Sequence, residues 1–138
     1  MGRIMALDYG SKRIGVAISD PTGTIVSTPE PPVESGDQLI TSIRKLVKHY
    51  EVSRLIIGMP WSLSGNKTES TKAALEFQRR LQAEFAFPIS AVDERYTTRQ
   101  AKSDLSASKE QDRSKSQIDN QSARILLENY LSHSDFKN

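Results

Sequence analysis

Arg3-Ile4-Met5-Ala6-Leu7-Asp8-Tyr9-Gly10-Ser11-Lys12-Arg13-Ile14-Gly15-Val16-Ala17 is an apolar strand that ends in an aspartate, turns through glycine and enters a second apolar strand. A carboxylate at the tip of a buried strand is costly unless something cationic holds it. The usual holder is a divalent metal or a metal-bound phosphate. Gly10 and Gly15 keep side chains away from the space above Asp8, so a phosphodiester or a triphosphate can approach the backbone. The plainer alternative is a glycine hairpin carrying a solvated aspartate.

Outward from this hairpin the order of elements predicts the fold. Strands over residues 3–7 and 13–19 are followed by the turn Asp20-Pro21-Thr22-Gly23 and a third strand near 24–28, which Pro29, Pro31 and Pro32 stop. These three form an antiparallel meander. Residues 37–50 place Leu39, Ile40, Ile43, Leu46, Val47 and Tyr50 at the spacing of a one-faced helix. Leu55-Ile56-Ile57 is a short, wholly apolar strand closed by Gly58-Met59-Pro60, the pattern of a covered sheet interior. A helix over 71–85 buries Ala74, Phe77, Leu81 and Phe85, and a fifth strand over 89–92 ends at Asp93-Glu94. A helix beginning near Thr98 and a last one over 117–131 complete the chain. The expectation is an α/β fold with a mixed five-stranded sheet, three strands antiparallel and then parallel ones, flanked by helices. Strands one, four and five run parallel, which brings Asp8, Gly58-Met59-Pro60 and Asp93-Glu94 to one carboxyl edge, where such sheets bind ligands.

A length of 138 residues without a long linker implies one domain spanning 1–138, enough for a single core. The formal net charge of +2 does not by itself imply a nucleic-acid partner. Its distribution says more: between Arg95 and Lys115 six basic residues stand against three acids, an excess larger than that of the whole chain. Such a stretch is ordinarily solvated surface, and it gains meaning only beside the carboxylates. Absence of cysteine excludes disulfides, thiolate zinc sites and cysteine nucleophiles. Neither a signal peptide nor an apolar run of roughly 18 residues is present, so a cytoplasmic protein without membrane contact is expected.

Asp119 lies four residues before Ala123 and seven before Leu126 on the last helix, on or beside its packing stripe. Alone, it reads as a helix-start acid or as a partner of Lys115. With Asp8 and Glu94 it forms a set of carboxylates that would repel one another when empty. Hard divalent cations relieve that repulsion, and two of them about 4 Å apart drive phosphodiester hydrolysis. His49 and His133 both fall away from this set, and no Ser-His-Asp arrangement is apparent.

Asp8-Tyr9-Gly10-Ser11-Lys12-Arg13-Ile14-Gly15-Val16-Ala17, Gly58-Met59-Pro60, Asp93-Glu94-Arg95-Tyr96-Thr97-Thr98 and Lys115-Ser116-Gln117-Ile118-Asp119, in this order over nearly the whole chain, resemble the YqgF (or RuvX) family. The resemblance implies a minimal ribonuclease H-like domain related to the RuvC Holliday junction resolvases. It further implies a nuclease of the bacterial cytoplasm, dependent on Mg²⁺ or Mn²⁺, and a monomer or weak homodimer is expected. Its usual role is maturation of the 5′ end of precursor 16S rRNA, with junction resolution the older proposal, so RNA is preferred to branched DNA as partner. By motif Asp8, Glu94 and Asp119 carry over as catalytic metal ligands, with Asp93 able to replace or assist Glu94. Lys12 and Arg95 carry over as phosphate contacts. Gly10 allows the substrate backbone to approach, and Lys115, with Lys109 and Arg113 on a mobile loop over residues 106–117, closes over it. Trp61 either stacks on an unpaired base or covers the core edge. Two departures stand out. Ser122-Ala123 replaces the family's paired alanines, and no acid lies between Gly58 and Glu69, where RuvC-type enzymes place a glutamate.

Two other classes share parts of this pattern. Actin-like and sugar-kinase ATPases open with a comparable Asp-x-Gly hairpin, but they need two such domains around a cleft, and 138 residues supply one. A nucleic-acid-binding module that keeps the fold without catalysis is the other.

Overall fold

The computed structural model describes residues 2–10, 12–59, 69–93 and 115–132. Its elements are β1 (Arg3–Asp8), β2 (Arg13–Ser19), β3 (Val26–Ser27), β4 (Val33–Glu34), α1 (Leu39–Tyr50), β5 (Val52–Met59), α2 (Glu69–Glu84), β6 (Ile89–Asp93) and α3 (Lys115–Ser132). The sheet order is β3-β2-β1-β5-β6, with β4 paired to β2 beside β3. β1 and β2 are antiparallel, while β1, β5 and β6 run parallel as expected.

β1 is apolar throughout because both faces are covered. Met5 and Leu7 join Val16, Leu55 and Ile57 under α1 and α2, which contribute Leu39, Ile43, Val47, Ala74, Phe77 and Leu81. Ala6, Ala17 and Ile56, with Ile4 at the margin, meet Ala123, Leu126, Leu127 and Leu131 of α3 on the other face. The small residues Ala6, Ala17, Ser122 and Ala123 are all buried, so this helix–sheet contact is close, and a serine in place of the first alanine fits it. Far down the helix, Tyr130 Oη accepts from Arg54 Nη1 at 3.2 Å, and Leu131 packs near the turn at Gly23. α3 therefore runs from the carboxyl edge of the parallel strands toward the opposite edge.

The structure corrects several boundaries. Among the described residues the sheet has six strands, not five, because Val33 and Glu34 pair with Ile14 and Arg13. Prolines at 29, 31 and 32 lack the N–H a ladder needs, so pairing with β2 lapses across them and resumes immediately afterwards. β3 shrinks to Val26–Ser27 because Asp20 Oδ1 accepts the amides of Thr24 and Ile25 at 2.7 and 2.9 Å, drawing them into the turn. That carboxylate is held down to about 2, first by the Thr22 hydroxyl and then by the Ile25 and Thr24 amides. β5 extends from Val52 to Met59, beyond its apolar centre, since Arg3 and Ile4 give Val52 and Arg54 parallel partners. The expected helix near Thr98 falls outside the described residues.

Candidate active site

Asp8 is the last residue of β1 and sits in register with Gly15 on one side and Gly58 on the other. Directly opposed positions in a sheet bring Cβ atoms to about 5 Å, so glycine on both flanks leaves lateral space around this carboxylate that any other residue would fill. Strand alternation fixes its face. Ile4 and Ala6 pack in the α3 layer and Met5 and Leu7 in the other, which puts position 8 on the side of α3. Tyr9 turns the opposite way, its ring 5.0 Å from that of Phe77 on α2, and so anchors the chain immediately after Asp8.

The hairpin beyond Tyr9 is tight. A Cβ on Gly10 would lie 2.5 Å from the Arg13 carbonyl oxygen, so glycine here answers a close backbone approach. Ser35, leaving β4, clasps the hairpin from outside. Its N–H donates to the Lys12 carbonyl at 2.9 Å and its hydroxyl to the Gly10 carbonyl at 3.3 Å. Lys12 itself is exposed at the mouth of the turn.

β6 reaches the same edge: Val92 pairs with Gly58, and Asp93 with Met59. Val92 packs in the α3 layer. α3 supplies the third side. Its backbone carries Asp119 in the second turn, and the next residue, Asn120, accepts the Val16 amide on Oδ1 at 3.0 Å. Val16 is the neighbour of Gly15, the partner of Asp8. The tip of β1, the end of β6 and the first turns of α3 thus converge on one edge of the sheet. Lys115 opens α3, so the expected loop over 106–117 gives way to helix at 115. Glu94, Arg95, Trp61, Lys109 and Arg113 lie outside the described residues, and among the described residues no group of three acids or histidines gathers. His49 is remote, as expected: its neighbour Tyr50 accepts Arg3 Nη1 on its carbonyl at 3.2 Å, at the opposite end of β1.

Sequence reasoning missed two residues here, Ser35 and Asn120. Ser35 gives no signal in a proline-rich stretch read as a simple stop. Asn120 offered a faint one, a carboxamide directly after the helix aspartate.

The sequence profile described as RuvX, Holliday junction resolvase, matches residues 2–133. The chain belongs to the RuvX family. Among RuvX relatives, a protein of a Sulfurihydrogenibium species, provisionally named a pre-16S rRNA nuclease, is 36% identical over 140 residues, covering 100% of this chain and 95% of its own. A Streptococcus pyogenes protein of the same name is 36% identical over 137 residues, covering 94% and 96%. Among solved structures, Thermus thermophilus RuvC in complex with a Holliday junction substrate superposes with a TM-score of 0.59 at 12% identity, covering 96% of this RuvX chain and 98% of RuvC. A second Thermus thermophilus RuvC structure gives 0.56 at the same identity. The RuvX chain therefore has the ribonuclease H-like fold of RuvC.

Proposed function

We propose that this chain is a divalent-metal-dependent nuclease that hydrolyses nucleic-acid phosphodiesters, acting in the cytoplasm on the 5′ end of precursor 16S rRNA. One observation carries the reading. Asp8 stands between two glycines on the α3 side of the sheet, and the helix backbone at Asp119 is fastened beside one of those glycines. The names of relatives at about 36% identity over nearly their full length support RNA as substrate.

The donor set suits a hard cation. It consists of carboxylate oxygens, the chain has no thiolate, and Gly15 and Gly58 set no side chain beside Asp8 in its strand register. Asp8, Glu94 and Asp119 would hold it. Glu94 is preferred to Asp93 by motif, and Asp93, which ends β6, is the alternative ligand. When bound, Mg²⁺ or Mn²⁺ supplies an activated water and neutralises charge on the scissile phosphate. The chain's own residues do the rest. Gly10 lets the substrate backbone pass close to the hairpin, Lys12 meets a phosphate from its exposed position, and Lys115 and Arg95 are taken as further phosphate contacts. Such contacts position the strand without reading bases.

A second reading, resolution of four-way DNA junctions, is favoured by the description of the family profile and by the RuvC fold. Cleavage assays on precursor 16S rRNA fragments and on four-way junctions, with Mg²⁺ or Mn²⁺, decide between them. The proposal expects 5′ trimming of the RNA. Junction cleavage alone would transfer the conclusion to DNA, and ATP hydrolysis without nucleic acid would overturn both.

A further inference from the structure

The outer edge of β2 is covered in two pieces. β3 lies beside Ile18 and Ser19, and β4 beside Arg13 and Ile14. Among the described strands none pairs with that edge at residues 15–17. Asn120 fills the interval from above. Its Oδ1 accepts the Val16 amide at 3.0 Å, and its Nδ2 donates to the Glu30 carbonyl at 2.9 Å. Glu30 in turn accepts the Tyr50 hydroxyl on its carboxylate at 2.6 Å. A single carboxamide thereby joins α3, the sheet edge and the proline-rich strap between β3 and β4, and the strap is tied to α1. The arrangement uses donor and acceptor together. Aspartate lacks the donor, and a hydroxyl is too short to reach both partners.

We infer that Asn120 is a positioning residue, setting the height of the first turns of α3 over the sheet and so the place of the helix backbone at Asp119 beside the tip of β1. The inference rests on the metal-site reading above. Two features separate this role from general support of the fold. Asn120 follows Asp119 directly and grips the strand one residue from the partner of Asp8. Meanwhile α3 stays docked without it, through Ala123, Leu126 and Leu127 in the core and Leu131 and Tyr130 at the far end. Loss of the carboxamide should free the site end of the helix and leave the remainder packed.

The test compares Asn120→Ala with Leu131→Ala, which weakens the same helix at its far end. Mn²⁺ affinity is measured by calorimetry, kcat and KM on precursor rRNA fragments, Val16 amide exchange by NMR, and folding by urea titration. Contacts that orient metal ligands are commonly worth about 10–100-fold in affinity or activity. Asn120→Ala should therefore weaken Mn²⁺ binding and lower kcat by about 10-fold each, leave KM within about twofold, and speed Val16 exchange. Leu131→Ala should lose stability yet keep both site properties. Asn120→Ser, which keeps one hydrogen-bonding function, should fall between and repeats the test if the alanine variant does not fold. Unchanged Mn²⁺ affinity and kcat in the Asn120 variants would overturn the inference. So would equal losses in Leu131→Ala at the same folded fraction, which would make the contact merely structural. A wild-type protein that takes up no Mn²⁺ and cleaves nothing would instead overturn the reading of the site, and the inference with it.

Discussion

Replacing Gly10 by alanine puts a methyl group where the hairpin has no room. The new Cβ would stand 2.5 Å from the Arg13 carbonyl oxygen, whereas real Cβ atoms essentially never approach closer than 3.0 Å, so the two backbone segments must separate by about 0.5 Å. The obstacle is backbone and cannot rotate away. The separation also strains the Ser35 clasp, whose two hydrogen bonds hold the carbonyls of Gly10 and Lys12. Forcing extra volume into a packed site costs about 1–3 kcal/mol, and that loss is expected in the urea midpoint with an unchanged slope. Because the hairpin begins two residues after Asp8 and carries Lys12, kcat on RNA should also fall. Gly36→Ala is the matched control. Gly36 has φ +134 and nothing within 4 Å of an added Cβ, so alanine there meets backbone strain without a clash and lies outside the site. It should lose stability and keep its cleavage rate at temperatures where it is folded. An unchanged midpoint and rate in Gly10→Ala would show that the hairpin does not depend on this close backbone approach.

Leu127→Ala removes a fully buried side chain from the α3–sheet layer and should cost about 2–5 kcal/mol in urea unfolding. The Asp20 turn should give an acid-sensitive contribution to stability. Its folded carboxyl titrates at about 2 against an ordinary 3.8, so the contribution is complete above 3.8 and is lost as pH falls from there through 2. Asp20→Asn should consequently flatten melting temperature against pH in that window and nowhere else. Lys12→Ala should weaken RNA binding uniformly across sequences and lower the salt slope of log K by about 0.7–0.9.

The strands legible in sequence were those whose pattern and punctuation agreed. Ile4 to Leu7 and Leu55 to Ile57 are apolar on both faces and bounded by Gly or Asp, which is how a doubly covered parallel sheet reads. Asp8 at a strand tip was visible for the same reason. The face it occupies was not, because an all-apolar strand has no alternation to count. That face became clear only once Ala6 was seen beneath α3 and Leu7 beneath α2. β4 was hidden by the prolines before it, which look like a stop and prove to be an interruption. Residues 115 and 116 read as loop from their polarity, yet they are helical and continuous with a segment held down at Asn120 and Leu131. Long-range contacts by single polar side chains, such as Asn120 to Val16 across 104 positions, leave no periodic trace in a sequence.

Paramagnetic broadening by Mn²⁺ in the ¹⁵N-labelled protein reports which amides lie near one bound ion, and so whether β1 and α3 share it. The amides of Asp8, Gly15, Gly58 and Asp119 should broaden together at the lowest Mn²⁺ additions, and Asp8→Asn should abolish the effect at all four. Broadening confined to one element, or centred elsewhere and unaffected by Asp8→Asn, would contradict a shared ion.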